Sequence, residues 1–294
     1  TTNPFSCSMT STFHVGPYEI FFVEPCRFGL DGGAMFGVVP KNLWQRAYAD
    51  GDDKNRIPMA AKAMVIRGEG RVILVDTGNS PFMPPKQLEI YGIDFSQFSI
   101  DGGLAEWGIQ PEDVTDVILT HLHFDHVGGA VVVKDNERFP RFPNAWYHVQ
   151  KEHFDWAVQP SEKDRASFLP DMFLPLVDAG RLSFTEGHSE VFPMISVDRL
   201  YGHTSAMQSV TISDGITTVY HAADLFPTSA HVGTAWGMAY DNFPLTTLDE
   251  KKRILPRIIE EEWIVVFEHD AFRDAGKIVM GQKGPEVRDP FVGI

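Results

Sequence analysis

A ten-residue segment with three histidines constrains this chain more than any other feature. Residues 120–129 read THLHFDHVGG and directly follow a run of apolar residues typical of a strand. In an extended backbone, residues two positions apart project to the same side, so His121 and His123 can bind one metal ion. Asp125 and His126 follow where the chain turns, and they can reach a second ion. Imidazole and carboxylate ligands favour zinc, iron, manganese or cobalt over calcium.

A site with two ions needs more ligands, and three candidates stand at the ends of later predicted strands. They are His203 in YGHTS, Asp224 in HAAD and His269 in EHD. A single histidine at a strand end is more often structural than a ligand, and the alternative for the first segment is that its histidines satisfy buried hydrogen bonds. Three histidines and one aspartate within six residues favour a metal site.

The order of these residues resembles the metallo-β-lactamase fold superfamily. The pattern of that family is His-x-His-x-Asp-His, a Gly-His-Thr/Ser segment, an aspartate and a terminal histidine, and the match spans residues 72–269. The resemblance implies an α/β chain folded as a four-layer αββα sandwich that binds two divalent metal ions, most typically zinc. One ion would have the ligands His121, His123 and His203, the other would have Asp125, His126 and His269, and Asp224 would bridge the two.

One earlier aspartate also matches the family. Asp76, in an Asp-Thr-Gly sequence at the end of a predicted strand, corresponds to a residue that orients a ligand rather than binding metal. Aspartic proteases share the Asp-Thr-Gly sequence, but they need two copies and this chain has one.

Two further segments, residues 31–41 and 238–244, resemble those of bacterial quorum-quenching N-acyl-homoserine lactonases. This resemblance implies a hydrolase that opens the ester of a lactone ring with a hydroxide shared by the two ions. Asp125 or Asp224 would then pass a proton to the leaving group. Both aspartates are therefore catalytic candidates as well as ligands.

The chain departs from the lactonase pattern at one substrate-contacting position. The best-known lactonases carry a tyrosine three residues after the bridging aspartate, whereas this chain has Pro227. Tyr240 is the third catalytic candidate, with His231 as its alternative. Several apolar residues could either line the approach for an acyl chain or fill the core, and these are Met35, Phe36, Trp236, Met238 and Phe243.

Other activities use the same kind of metal site. An organophosphate triester hydrolase would use similar chemistry, and an iron-dependent oxidoreductase of this fold would use iron. Flavodiiron enzymes usually have glutamate at the third motif position and a flavodoxin-like domain, and this sequence has neither. A metal-free binding protein fits less well, because every ligand position is filled. The sequence contains no Gly-x-Ser-x-Gly nucleophile motif.

The net charge of the chain disfavours some classes of binding partner. The chain has 294 residues with 25 basic and 40 acidic side chains, for a net charge of −15. This surplus disfavours nucleic acid and anionic membrane surfaces, which are bound through lysine and arginine. No apolar stretch approaches the roughly 18 residues of a transmembrane helix. We expect a cytoplasmic enzyme for a small apolar lactone or ester, with a removed secretory leader and a homodimer both left open.

The chain is predicted to form one domain, residues 17–294, after a loose N-terminal arm at residues 1–16. Residues around 158–190 are irregular and are predicted to form an inserted cap. Strands are predicted at residues 18–24, 63–67, 71–75, 114–119, 209–212, 217–221 and 263–267, and helices around 103–107, at 146–156 and at 248–261. Thr247 and Glu250 match a capping box that would begin the last helix.

The remaining cysteines and histidines receive structural interpretations. Cys7 and Cys26 are too few for a disulfide framework, so we expect two idle thiols, with a single bridge as the alternative. The histidines that lack ligand spacing are predicted to be structural or exposed, and these are His14, His148, His153, His188 and His221.

Overall fold

The computed structural model describes residues 12–291. Its strands are β1 (Phe13–Val15), β2 (Tyr18–Asp31), β3 (Arg56–Gly68), β4 (Arg71–Val75), β5 (Asp116–Ile118), β6 (Val131–Lys134), β7 (Glu137–Pro140), β8 (Trp146–Gln150), β9 (Leu182–Thr185), β10 (Ser189–Phe192), β11 (Ile195–Leu200), β12 (Met207–Ser213), β13 (Thr218–His221), β14 (Ile264–Val266), β15 (Ala275–Gly281) and β16 (Gly284–Phe291). Its α-helices are α1 (Gly32–Phe36), α2 (Lys41–Ala47), α3 (Pro85–Tyr91), α4 (Ile100–Glu106), α5 (Phe124–Val127), α6 (Lys151–Val158), α7 (Leu174–Asp178) and α8 (Pro244–Glu260).

The strands form two seven-stranded mixed sheets and one separate hairpin. The first sheet has the order β1-β2-β3-β4-β5-β8-β9, the second runs from β10 to β16 in sequence order, and β6 pairs with β7. In the first sheet, β4, β5, β8 and β9 are parallel. In the second sheet, β13 and β14 are parallel. Parallel neighbours end at the same edge, which is where the candidate ligands follow.

Alternating burial along the central strands shows how the sequence builds four layers. Ile73 and Val75 of β4 lie in the core between the two sheets, whereas Leu74 lies in the core that the first sheet forms with α4 to α7. In β14, Val265 belongs to the core against α8, and its two neighbours join the core between the sheets. Because both faces of each sheet are covered, β14 and residues 72–75 of β4 are apolar at every position. The predicted αββα sandwich is confirmed.

Three local predictions are wrong. Residues 146–156 are not one helix, because Trp146–Gln150 is a strand held in parallel between β5 and β9, and the helix begins only at Lys151. The last helix begins at Pro244, so Thr247 is not its cap. Glu250 accepts instead from the backbone N–H groups of Tyr201 and Gly202. Tertiary pairing overrode local propensity in each case.

The predicted arm and cap are both partly ordered into the sheets. Phe13–Val15 pairs with β2, so the loose-arm prediction is wrong there, and residues 1–11 lie outside the described residues. The end of the predicted cap supplies β9 to the first sheet and begins β10 of the second. Between residues 159 and 181, Phe168, Met172 and Leu176 are buried against the helical side of the first sheet. Cys26 is buried and unbridged, and Cys7 is outside the described residues.

Candidate metal centre

Five strand ends deliver the candidate ligands and their supports to one edge of the paired sheets. Asp76 follows β4, the segment 121–126 follows β5, and His203 lies three residues after β11. Asp224 and His269 each lie three residues after their strands, β13 and β14. Ligands separated by up to 148 positions therefore meet because the two sheets face each other at this edge.

A close approach of two backbones fixes the turn behind the first segment. A side chain at Gly129 would place its Cβ 2.2 Å from the carbonyl oxygen of Thr77, and one at Gly128 would lie 2.6 Å from the nitrogen of Ser80. Only glycine fits at such distances. The Gly-Gly pair therefore lets the segment with the ligands pack directly on the loop after β4.

The seven predicted ligands are all buried and form two neighbouring groups of nitrogen and oxygen atoms. One group contains His121, His123 and His203, and the other contains Asp125, His126 and His269, each with its ligand atoms within 4.8 Å of one another. In each group two imidazole nitrogens converge. His203 Nε2 lies 3.2 Å from His123 Nδ1, and His269 Nε2 lies 3.0 Å from His126 Nε2. Two nitrogens that share a tetrahedral zinc at 2.0–2.1 Å are separated by about 3.3 Å.

Asp224 lies between the two groups. Its Oδ2 is 3.1 Å from His203 Nε2, and its Oδ1 is 3.3 Å from His269 Nε2. A carboxylate that turns one oxygen toward each group has the orientation expected of a bridging ligand. This is the position that the sequence comparison with the family implies for Asp224.

Several ligand atoms are buried without a hydrogen-bond partner among the described residues. They include His121 Nε2 and Asp224 Oδ1. Leaving such atoms unpaired in a protein interior costs about 1–3 kcal/mol each. Metal ions would satisfy the atoms that face the two groups, and the donor set of imidazole and carboxylate suits divalent transition metals. The residues present therefore fit a metal centre.

Outer partners hold the ligands in place. Asp76 accepts from the backbone and side chain of Thr120, and its Oδ2 lies 3.0 Å from His126 Nδ1. Asp241 Oδ1 lies 3.1 Å from His203 Nδ1. Each carboxylate leaves the opposite ring nitrogen free to face an ion, which is the usual role of such partners. The predicted orienting role of Asp76 fits this geometry.

Glu268 is a second carboxyl group behind His126. Its Oε1 lies 3.2 Å from His126 Nδ1, and its Oε2 lies 3.4 Å from His221 Nε2. All three side chains are buried. Burial raises the pKa of Glu268 to about 8, although the neighbouring His126 opposes that shift.

The environment divides the histidines by protonation in the metal-free protein. Burial and neighbouring imidazoles lower the pKa of His121 and His123 well below its ordinary value. Burial also disfavours charge on His203 and His269, but the Asp224 carboxylate outweighs it and helps to raise each pKa to about 9. A metal ion arriving at neutral pH must therefore displace protons.

A cavity of about 190 Å³ opens onto the metal-facing atoms. Its lining includes the candidate catalytic residues Asp125, Asp224 and Tyr240, together with the apolar residues Leu30, Met35, Tyr91, Phe124 and Met238. A larger cavity of about 520 Å³ shares Leu30, Tyr91 and Tyr240 with it. Burial raises the pKa of Tyr240 above its ordinary value, so its hydroxyl is a neutral hydrogen-bond donor at pH 7.

Some predicted pocket residues do not line this cavity. His231 is used structurally: its Nε2 faces the carbonyl oxygen of Met35 at 2.8 Å and its Nδ1 faces the hydroxyl of Thr228 at 2.7 Å. Phe36 is buried and stacks on His231, with Trp236 against its edge. Both nitrogens of His231 are thus occupied, and of the two candidates Tyr240 is the one that lines the cavity.

Sequence reasoning missed three acidic residues of the site: Asp164, Asp241 and Glu268. Asp164 lines the cavity and accepts from the side chains of Trp156, Ser161, Thr204 and Asn242, so it ties the predicted cap to the segments beside His203. Single acidic residues outside a motif carry no sequence signal of such a role. The pattern EHD before and after His269 is the only feature that could have drawn attention to Glu268.

The other histidines are placed as predicted. His153 accepts from the backbone N–H of Leu122, and His148 lies 2.9 Å from Asp116 in the first sheet. His14 and His188 are exposed. None of the four faces the two ligand groups.

The model of the metallo-β-lactamase superfamily matches residues 56–269, which is well over half of the chain. The chain belongs to the metallo-β-lactamase superfamily. Its site and fold are those of a metal-dependent hydrolase of that superfamily.

Curated relatives in this superfamily share a quarter of their residues with the chain. It is 27% identical over 219 residues to an N-acyl homoserine lactonase of a Bacillus species, covering 69% of this chain and 78% of the relative. It is 26% identical over 180 residues to an N-acyl homoserine lactonase of Bacillus cereus, covering 59% of this chain and 62% of that relative.

Solved structures extend the similarity over nearly the whole chain. A probable metal-dependent hydrolase from Staphylococcus aureus superposes with a TM-score of 0.87 at 28% identity, covering 95% of this chain and 98% of that one. A dizinc quorum-quenching lactonase in complex with its product superposes with a TM-score of 0.77 at 21% identity, covering 96% and 97% of the two chains. The second similarity supports the fold alone. Among the described residues, no helix is long and apolar enough to cross a membrane.

Proposed function

We propose that this protein binds two zinc ions and hydrolyses the ring ester of N-acyl homoserine lactones. The observation that carries the proposal is the position of Asp224 between two complete groups of buried ligands, at the base of a partly apolar cavity. The curated relatives, which are N-acyl homoserine lactonases, support the choice of substrate. Zinc is favoured by the imidazole-rich donor set, although iron, manganese and cobalt accept the same ligands.

Two bound divalent ions would lower the pKa of a shared water molecule to about 7 and polarise the ester carbonyl. The side chains of this protein would hold and orient the two ions. His121, His123 and His203 would hold one ion, Asp125, His126 and His269 the other, and Asp224 both. Burial of these side chains excludes bulk water and strengthens every electrostatic contact with the reacting ester.

Two groups on the cavity wall would act on the substrate directly. The hydroxyl of Tyr240 is half-buried and protonated, so it can donate a hydrogen bond to the carbonyl oxygen as negative charge develops there. Asp125 lines the same cavity, and its Oδ2 lies 3.7 Å from His269 Nε2. It is placed to pass a proton to the alcohol that leaves when the ring opens, and Asp224 is the alternative.

The two adjoining cavities suggest how the substrate lies. A cavity of about 190 Å³ is small for a complete acylated lactone, since pockets for such ligands usually exceed about 300 Å³. The lactone ring would occupy this space. The acyl chain would continue past Leu30, Tyr91 and Tyr240 into the neighbouring cavity of about 520 Å³.

Metal analysis followed by substrate assays tests the proposal. We expect two zinc ions per chain after reconstitution, and proton release in a pH-stat when lactones with short and long acyl chains are added. A phosphotriester in a parallel assay tests the alternative of an organophosphate hydrolase. His123→Ala should abolish lactone hydrolysis, and His188→Ala, which changes an exposed histidine, serves as the control.

Three results would contradict the proposal. Fewer than one ion per chain would remove its chemical basis, and unchanged turnover in His123→Ala would remove the role of the ligands. Faster turnover of the phosphotriester than of every lactone would favour the other hydrolase activity. Iron as the only metal that reconstitutes the protein, with no lactone turnover, would favour an oxidoreductase.

A further inference from the structure

Two buried residues behind the metal ligands come from neighbouring strand ends and make no contact with the cavity. His221 is the last residue of β13, and Glu268 lies two residues after β14, which pairs with β13 in parallel. Both are 1% exposed. Neither belongs to the seven candidate ligands, so their burial beside the site calls for a separate explanation.

The carboxyl group of Glu268 lies between two imidazole rings. Its Oε1 is 3.2 Å from Nδ1 of His126, and its Oε2 is 3.4 Å from Nε2 of His221. Neither oxygen makes a hydrogen bond of good geometry with the described residues. A buried carboxyl group without such bonds destabilises a fold by several kcal/mol unless nearby charge compensates it. Its placement between two imidazoles therefore points to a role in the site.

The hydrogen bonds of the two imidazoles fix the direction of this contact. Nδ1 of His221 accepts from the backbone N–H of Ala223 at 3.3 Å, so the ring proton of His221 is on Nε2, the nitrogen that lies 3.4 Å from Oε2 of Glu268. Nδ1 of His126 faces the carboxyl groups of Asp76 and Glu268, which places its proton there and leaves Nε2 for an ion.

The contacts form a continuous path from His126 to the turn before Asp224. It runs from His126 through Glu268 and His221 to the backbone of Ala223, which directly precedes Asp224. Ala223 has a positive φ of 47°, an uncommon conformation for alanine, and the hydrogen bond to His221 helps to hold it. The path therefore fixes both the ring of His126 and the turn that presents Asp224.

We propose that Glu268 and His221 are positioning residues that set the affinity of the ion bound by Asp125, His126 and His269. Glu268 orients His126, and His221 transmits the position of Glu268 to the turn before Asp224. The inference rests on the proposed site with two ions. It adds to that proposal a pair of residues that act more strongly on the ion bound by His126 than on the other ion.

Metal affinity in full-length variants tests the inference independently of turnover. Glu268→Gln keeps the shape of the side chain and removes its acidic group. We expect it to weaken one of the two zinc sites by about 10- to 100-fold, as loss of outer partners usually does, and to leave the other within about threefold. His221→Gln should weaken the same site in the same direction. Competition with a zinc chelator measures both affinities, and cobalt spectra report which ligand group is disturbed.

A carboxylate–histidine pair with a buried carboxylate and a partly buried imidazole provides the control. Asp116 lies 2.9 Å from His148 in the first sheet and touches neither ligand group. Asp116→Asn should lower the unfolding temperature of the metal-free protein and leave both zinc affinities unchanged. If Glu268→Gln fails to fold, His221→Gln carries the same test from the other end of the contact.

Each outcome has a distinct meaning. Equal loss at both sites, or wild-type affinities with only a lower unfolding temperature, would make the pair merely structural and overturn the inference. Three ions per chain in the wild type would also overturn it, because Asp76, His126 and Glu268 would then bind an ion themselves. Two ions of normal affinity without lactone turnover would contradict the proposed function and leave the positioning role intact.

Discussion

The two sheets contribute to the metal centre in different ways. The first sheet supplies His121, His123, Asp125 and His126 from six consecutive residues, whereas the second sheet supplies its three ligands from three separate strand ends. The first half is held by local backbone geometry and by the loop after β4. The second half depends on the packing of distant segments, which predicts that it is the more easily disturbed half of the site.

Removing one ligand from each half should have the largest effect. His123→Ala and His203→Ala should each reduce lactone turnover by more than about 100-fold, because loss of a ligand exceeds the cost of losing its outer partner. Both side chains belong to the same group of three, so the comparison isolates the sheet that carries the ligand. Assays at saturating zinc measure the effect. If high zinc restores lactone turnover in His203→Ala but not in His123→Ala, the second half is the more adaptable one.

Tyr240→Phe should lower kcat by about 100-fold and leave the zinc content at two ions. Tyr240 lines the cavity and belongs to neither ligand group, so loss of its hydroxyl should remove the proposed donor to the developing oxyanion without removing a ligand. Steady-state kinetics with metal analysis on the same preparation measures both quantities. A changed zinc content would show that Tyr240 supports the metal centre, and an unchanged kcat would show that its hydroxyl does not act on the substrate.

The outer carboxylates provide a direct comparison of the two halves. Asp76→Asn removes the partner of His126, and Asp241→Asn removes the partner of His203. We expect zinc affinity to fall by about 10- to 100-fold in each, with the larger loss for Asp241→Asn, because Glu268 still faces Nδ1 of His126 after Asp76 is changed. Chelator competition measures the affinities. The larger loss in Asp76→Asn would reverse the comparison.

The last expected effect is a pH dependence of zinc binding in the unchanged chain. His203 and His269 carry pKa values of about 9 in the metal-free protein, well above the ordinary 6.5. Zinc affinity should therefore rise by about tenfold per pH unit for each proton displaced, up to about pH 9. Proton release on zinc addition in weakly buffered solution measures this, and release that is the same at pH 7 and pH 10 would contradict it.

The same pKa shifts should make the metal-free fold less stable as pH rises, whereas they make zinc affinity higher. Because the folded pKa values of His203 and His269 exceed the unfolded value, their contribution to stability is fully present below about pH 6.5 and is lost as pH rises through about 9. The unfolding temperature of the metal-free protein, measured across this range, separates the linkage from zinc binding itself.

Sequence reasoning was most successful where the site is local. The segment 121–126 has ligand spacing that is visible in the chain, and Asp76 could be recognised in its Asp-Thr-Gly at a strand end. His231, the alternative to Tyr240, has both ring nitrogens within hydrogen-bond distance of Thr228 and Met35. Nothing in the chain around His231 reveals those partners.

The secondary structure also divides into elements that the local sequence predicts and elements that depend on distant segments. The apolar runs at β4 and β5 were recognised because strands buried on both faces are continuously hydrophobic. The segment Trp146–Gln150 was assigned to a helix because its residues precede a real helical pattern without a turn signal. Only its place between β5 and β9 makes it a strand.

The sequence by itself determined the four-layer fold and the chemical nature of the metal centre. The spacing of the imidazole and carboxylate side chains indicates the metal chemistry, and the order of these residues implies the four-layer fold through its resemblance to the superfamily. The tertiary structure decided which acidic residues support the ligands and which hydroxyl faces the cavity. Asp164, Asp241 and Glu268 act through contacts between distant segments, and such contacts depend on how two sheets pack rather than on any neighbouring residues.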